Sequence, residues 1–520
     1  MNHEEIKKKQ KRVMIYVMII SLICVVGVSY AFFTAGMSSE TSTTVRADAG
    51  TMKITYDGGA NINLAGIYPK DDVWATKTIT VTGNNTTDAE MYYKLTLVVD
   101  SNTFKTDDPL QYELVSTNDS TNGEIIPNIS KKDIAGTSIE LGSGHFVKAN
   151  NAKHTYLLKI YYPKKATSQN ANQGAAFSAH VEITSAKAPK TNGKLSELVL
   201  YNNEVKTPIT TPGAAVSTES EALLASTEDD YGTSYYFRGA VKNNYVEFAN
   251  KCWRIVRVGG DGSVKLILHN DNPTGAANPC DAANNSISAA FARYSGETYK
   301  SAFNTNYNDN AYVGFKYGTP GSSKYETTHA NTNNSTILTN LETWYNNNLK
   351  TYESVIDDNV WCNDKTNVTD TTYDPYGWNP NGLGYGTNTT YYGATQRLVN
   401  KSDSAGGTGP SLKCNGELSK ITSKIGLITA DELAFAGYAR GFSNTTTYLQ
   451  ENATDTYWWS LSPSYFDGFN ANVWDVGGSG GGFGFNSVGN ADGVRPSISL
   501  KSTTNVTGDG TSSSPFVVKI

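Results

Sequence analysis

Four cysteines, Cys252, Cys280, Cys362 and Cys414, have the widest chemical repertoire of any residues in this 520-residue chain. A thiolate can be a nucleophile, a zinc ligand or half of a disulfide. No C-x-x-C spacing is present, so the usual zinc and redox hairpins are not expected. An even number outside the cytosol reads as two disulfides. Four cysteines allow three pairings, and nearness in sequence favours Cys252–Cys280 with Cys362–Cys414. Cys24 stands apart in an apolar N-terminal run. The histidines (His3, His145, His154, His180, His269, His329) include no H-E-x-x-H pair, so a zinc-peptidase helix is not expected. No metal or cofactor is expected.

Other candidates lie near the C-terminus. Trp459 and Trp474 could stack on sugar rings, with Asn472, Asp475 and Asn486 supplying polar contacts. The competing reading puts Trp458, Trp459 and Trp474 in the core and leaves the polar residues at the surface, without calcium. Gly477 to Gly482 are glycines broken only by Ser479. They lack a Walker lysine and an acidic residue at the Rossmann distance, and read as a tight hairpin loop between Trp474 and Phe485. Asn118 to Gly123 resembles a calcium loop, but Ile129 stands where such a loop needs Glu. It reads as a turn. Arg495, before Pro496, is expected to be a buried, hydrogen-bonded anchor.

The N-terminus decides where such chemistry operates. Lys7, Lys8, Lys9, Lys11 and Arg12 precede an uncharged stretch from Val13 to Gly36. At about 1.5 Å per residue it makes a helix of roughly 36 Å, against a hydrocarbon core of about 30 Å. The basic cluster keeps the N-terminus inside and sends the remainder out. Either the segment stays as a membrane anchor, or it is cleaved after Ala31 so that Phe32 begins the mature chain. The expected location is the membrane or outer surface of a Gram-positive-type bacterium.

Composition agrees with an exterior, β-rich protein. Charged residues are only 18%, with 47 Gly, 32 Tyr and 8 Trp. Aromatic residues favour pleated surfaces and Gly favours turns. A net charge of −6 with no basic stripe beyond the N-terminus argues against nucleic-acid binding. Period-2 alternation runs through Met91–Val99, Tyr156–Tyr162 and Phe177–Ile183, predicting a β-sandwich over residues 40–186. Residues 187–226, rich in Thr, Pro and Ser, read as a spacer holding two domains apart, with a short helical stretch at Leu195–Leu200.

Residues 227–520 then form an α+β domain. A hairpin turns at Gly259–Gly262 between Trp253–Val258 and Val264–Leu268. Leu341, Trp344, Tyr345 and Leu349 share a helix face. Thr429 is placed to cap a helix entering Glu432–Ala436.

Two resemblances sharpen this outline. Gly27-Val28-Ser29-Tyr30-Ala31-Phe32-Phe33-Thr34 and Ala49-Gly50-Thr51-Met52-Lys53-Ile54 resemble the start of the TasA/camelysin family. So do Asn63 to Asp71 and the strand Thr78–Thr82. That family implies a signal peptide cut by a SipW-type peptidase and extracellular fibres or matrix. One subunit's N-terminal strand, here Phe32 to Val45, would complete a neighbour's sheet. Trp458-Trp459-Ser460-Leu461-Ser462-Pro463, with Gly493-Val494-Arg495-Pro496 and a closing Pro515–Val518 strand, resembles an uncharacterised C-type-lectin-like domain of Firmicutes surface proteins. More distantly it is similar to formylglycine-generating enzymes, which need a reactive cysteine pair; no cysteine follows Cys414.

The leading expectation is therefore a non-enzymatic surface or matrix protein. A sandwich near the membrane presents a lectin-like head that recognises glycan or protein. A structural fibre subunit that self-assembles through the sandwich is the alternative, and an enzyme related to the formylglycine generators a third reading without a catalytic constellation to support it.

Overall fold

The computed structural model describes residues 43–48, 51–85, 90–117, 122–185, 190–216, 221–377 and 389–520. The expected membrane segment Val13–Gly36 and the Ala31–Phe32 cleavage point lie outside these residues, as does most of the Asn118–Gly123 turn. Among the described residues no helix is long and apolar enough to cross a membrane. The chain is mainly β, with several antiparallel sheets, and divides into compact units at Met1–Ala188 and Pro189–Ile520.

The first unit contains β1 (Thr43–Asp48), β2 (Thr51–Asp57), β3 (Ile62–Ala65), β4 (Lys70–Asn85), β5 (Met91–Asn102), β6 (Gln111–Ser116), β7 (Ile129–Asp133), β8 (Ser138–Phe146), β9 (Ala149–Tyr162) and β10 (Ala176–Ser185). One sheet runs β1-β2-β4-β9-β6-β7 and the other β3-β10-β5-β8. Alternation places Met91, Tyr93, Leu95, Leu97 and Val99 inside along β5, while the intervening residues stay half-exposed. They meet Tyr156, Leu158 and Ile160 of β9 in one core shared by both sheets. Edge strand β7 shows Lys131 and Lys132 to solvent, a charge pattern that discourages further pairing.

One polar network is sealed in that core. His154 is fully buried, stacked on Phe146 at 4.0 Å, with Nδ1 hydrogen-bonded to Tyr93 Oη at 2.6 Å. Tyr93 Oη also bonds Tyr156 Oη. Burial, with a smaller contribution from His145, pushes the imidazole down to about 4.

The second unit begins earlier than its composition implies. The spacer expected over 187–226 is corrected by the structure, because most of that segment is folded into this unit. Strand β11 (Asn192–Lys194) pairs with Asn505–Thr507, and helix Leu195–Asn202 buries Leu195, Leu198 and Val199 in the main core. Val216 is buried, and Glu221 pairs with the fully buried Arg238 at 2.8 Å. Thr/Pro/Ser-rich chain orders here because a few apolar and ionic anchors find partners distant in sequence.

Strands β12 (Leu223–Asp229), β13 (Gly232–Arg238), β14 (Tyr245–Phe248), β15 (Lys251–Val258) and β16 (Val264–Asn270) form the body of a nine-stranded sheet. The β15–β16 hairpin pairs Val258 with Val264 around the Gly259–Gly262 turn. Phe516–Val518 pairs in parallel with β14, and Ser497–Leu500 antiparallel with β16. A second sheet is built on Trp458–Phe466, Ala471–Val476 and Phe483–Ser487, with Trp474 opposite Phe485. Helix Thr336–Asn348 buries Leu341, Trp344 and Tyr345. Two disulfides, Cys252–Cys280 and Cys362–Cys414, close this unit.

Two outcomes follow from this packing. Leu198→Ala should destabilise the unit carrying the disulfides by about 2–5 kcal/mol, read by urea unfolding; no loss would mean the segment is a free spacer. His154 protonates more readily unfolded than folded, so its contribution is present above pH 6.5 and lost as pH falls towards 4. His154→Phe should flatten the stability–pH slope in that window for the first unit.

Candidate functional site

Charged side chains of both signs meet beneath the surface of the second unit, and the sheet explains why. Arg257 on β15 and Lys265 on β16 are cross-strand partners, so two cations share one face of a buried hairpin, with apolar Ile255, Val256, Val258, Val264 and Leu266 around them. Like charges placed directly opposite destabilise a sheet unless an anion lies between them.

Glu432 supplies that anion. It is the third residue of helix Ala430–Ala436, whose cap is reciprocal: Thr429 Oγ1 accepts from Glu432 N at 3.0 Å, and Glu432 Oε2 accepts from Thr429 N at 2.9 Å. Its other oxygen, Oε1, accepts from Lys265 Nζ at 2.7 Å and Arg257 Nε at 3.0 Å. Burial works strongly against ionisation, yet Lys265 and Arg257 outweigh it and hold the carboxyl down at about 2. Arg257 also donates from Nη1 to Asp229 Oδ2 at 2.8 Å. Asp229 in turn accepts from the backbone N–H groups of Tyr231 and Gly260.

A second arm starts from the preceding helical residue. Asp431 receives Arg397 in a fork, Nε to Oδ1 at 2.7 Å and Nη2 to Oδ2 at 2.8 Å. The remaining nitrogen, Nη1, donates to Asp364 Oδ2 at 2.8 Å. This bidentate geometry suits guanidinium and not ammonium. Although burial opposes it, the two carboxylates raise the Arg397 pKa further above its ordinary value. Arg397 lies on helix Gly393–Leu398, where a side chain at Gly393 would meet Asp364 Oδ2 at 2.8 Å. A larger residue there would have to displace the Asp364 carboxylate from Arg397.

Between the arms lies a cleft of about 40 Å³, room for a few ordered waters. Its rim carries exposed Asp230, Tyr231 and Lys413 together with half-buried Ser411, Leu412 and Asn359. The Cys362–Cys414 disulfide also lines it, and Cys414 N donates to Asp230 Oδ2 at 3.2 Å. By contrast, Cys252 and Cys280 are buried.

None of the residues expected to bind ligand lines this cleft. Trp459 and Trp474 are fully buried; the Nε1 of Trp459 donates to Ser301 O at 2.8 Å and that of Trp474 to Thr395 Oγ1 at 3.2 Å. An aromatic sugar platform at Trp459 and Trp474 is therefore corrected: both rings are covered by the core, against Phe303 and Phe483. Asn472 and Asp475 are also buried, so neither offers a surface contact. Burial, then the neighbouring Asp492, pushes the Asp475 carboxyl up to about 8, while Arg440 opposes the shift. Half-buried Asn486 donates to Asp492 Oδ2 at 2.9 Å. Among the described residues, no group of three or more His, Cys, Asp or Glu is arranged to hold a metal.

Asp229, Arg257, Lys265, Asp364, Arg397, Asp431 and Glu432 were not singled out as site residues from sequence. The available signal was charge set inside apolar strands, Arg254 and Arg257 within Trp253–Val258 and Lys265 within Val264–Leu268. Such charges are retained inside only when paired. No protein-family model matches the chain, and no curated protein matches it.

Glu432→Ala should cost about 3–5 kcal/mol by stranding two buried cations, measured by chemical denaturation at neutral pH. The folded-state carboxyl is lower than the unfolded one, so its contribution is present above pH 4.5 and lost as pH falls towards 2. The variant should lack that acid-dependent component.

Proposed function

We propose that this chain is an exported bacterial surface or matrix protein whose second unit is a ligand-binding head, with the charged cleft as its binding site. The cleft carries the reading: the buried ion pairs among Arg257, Lys265, Arg397 and the surrounding carboxylates open onto a rim of exposed Asp230, Tyr231 and Lys413. Buried, cross-paired charges fix donors and acceptors in place. A compact glycan or protein segment bearing charged groups then pays little reorganisation to bind. Two disulfides fit an oxidising exterior, as do the basic cluster and apolar run at the N-terminus. In this reading the first unit is a TasA/camelysin-like sandwich and the second a C-type-lectin-like domain, and neither performs catalysis.

One observation favours a fibre subunit as the second reading. β1, pairing Thr43 with Tyr56 through to Asp48 with Thr51, is the outermost strand of its sheet. An N-terminal edge strand is the element that neighbouring subunits exchange most readily.

Arrays of charged glycans and peptides, probed with the full exported chain, test the binding head. Tyr231→Ala and Lys413→Ala, both on the exposed rim, should weaken any captured ligand about tenfold or more while leaving the melting temperature unchanged. Binding that is indifferent to both substitutions, or no binding together with fibres seen by microscopy, would move the conclusion to the second reading. An N-terminus of Phe32 on protein from the host, read by mass spectrometry, would show that the edge strand is released.

A further inference from the structure

Away from the cleft, the core of the second unit holds an imbalance of charge. Arg254 and Arg495 are both buried. Arg254 is fully served: Nε donates to Asn244 Oδ1 at 2.6 Å, Nη1 to Glu451 Oε2 at 2.9 Å and Nη2 to Val241 O at 2.6 Å. Glu451 is shared further with Lys242 and with Tyr245 Oη. Arg495 has no carboxylate within ion-pair distance among the described residues. Its Nε donates to Leu268 O at 2.9 Å and its Nη1 to Leu449 O. Nη2 is buried without any partner.

The neighbours of those two carbonyls repeat the pattern. Next to Leu268, His269 is fully buried with Nδ1 unpartnered. Its Nε2 faces the amide Nδ2 of Asn452 at 3.3 Å, a group that only donates, so the imidazole proton belongs on Nδ1. Burial keeps that ring neutral, helped by Arg254 and Arg495. Next to Leu449, the Tyr448 hydroxyl is likewise buried and unpartnered. Trp458, whose ring lies 4.9 Å from the Arg495 guanidinium, has a buried, unpartnered Nε1–H.

Buried polar groups are almost always satisfied, so several orphans on and near one guanidinium call for a partner that the protein itself does not supply. All four can donate, and the local charge is positive. Water would satisfy donors but add no negative charge, and Glu451, the carboxylate that acts on Arg495, is already ion-paired with Arg254 and Lys242. We propose that a small monovalent inorganic anion of chloride size is bound in the core beside Arg495, receiving donors from Arg495 Nη2 and the Tyr448 hydroxyl, with His269 Nδ1–H and Trp458 Nε1–H in its surroundings. The lining side chains are closed to solvent, so the ion enters as the unit folds and acts as a structural ligand.

Linkage makes this measurable on the full, disulfide-intact chain. A ligand bound only by the folded state raises stability with the logarithm of its concentration. The melting temperature should therefore be several degrees higher in chloride than in gluconate of equal ionic strength, and should climb as chloride is titrated in. Tyr448→Phe, which keeps the ring and removes one donor, should shrink that difference; Arg495→Met should abolish it if the variant folds. A crystal grown in bromide should show an anomalous peak within hydrogen-bonding distance of Arg495 Nη2. Equal melting temperatures in the two salts, or an ordered water in place of the bromide peak, would overturn the proposal.

Discussion

A single buried carboxylate, that of Glu432, reconciles the sheet with the helix packed on it. The β15–β16 pairing forces Arg257 and Lys265 into adjacency, an arrangement tolerable only with an anion between them. The anion is delivered by the first turn of a helix that the same residue helps to cap. Helix start, strand register and charge balance are thus one interaction. Because Asp431 immediately precedes Glu432, the orientation that serves one arm also aims a carboxylate at Arg397 and sets the second. A shift of one residue in either the hairpin or the helix would strand charges on both sides.

That constraint also explains why the second unit tolerates so much polarity inside. Its apolar core is large and aromatic, with Trp253, Trp344, Trp361, Trp458, Trp459 and Trp474 fully buried. Burial of this kind supplies stability without specifying much. The ion pairs are directional, and the Arg397 fork in particular accepts one geometry. The first unit is built differently: alternating strands, one shared core, and compact internal polar networks such as His154–Tyr93–Tyr156 and Asp108–Tyr162–Asn172.

Much of the secondary structure was legible in the residues. Period-2 patterns at Met91–Val99 and Tyr156–Tyr162 became paired strands, the Gly259–Gly262 turn closed a hairpin, and Thr429 capped its helix. The favoured cysteine pairing is the one the structure contains. Residues 187–226 show where local reading stops. Their Thr- and Pro-rich composition signals disorder, but Leu198, Val199 and Glu221 are held by partners remote in sequence, and composition carries no information about such partners.

What the sequence determined by itself was local: alternation, turn chemistry, a helix cap, an even set of cysteines, and an apolar run behind fixed positive charge. Each depends on neighbours within a few residues, or on counting. Tertiary structure alone decided which polar residues would matter. Asp229, Arg257, Asp364, Arg397 and Glu432 span more than two hundred positions of chain and become a site only because sheet register and helix packing bring them within hydrogen-bonding distance. The same packing hid Trp459 and Trp474, since an aromatic ring suits a core and a sugar platform equally well until its surroundings are fixed.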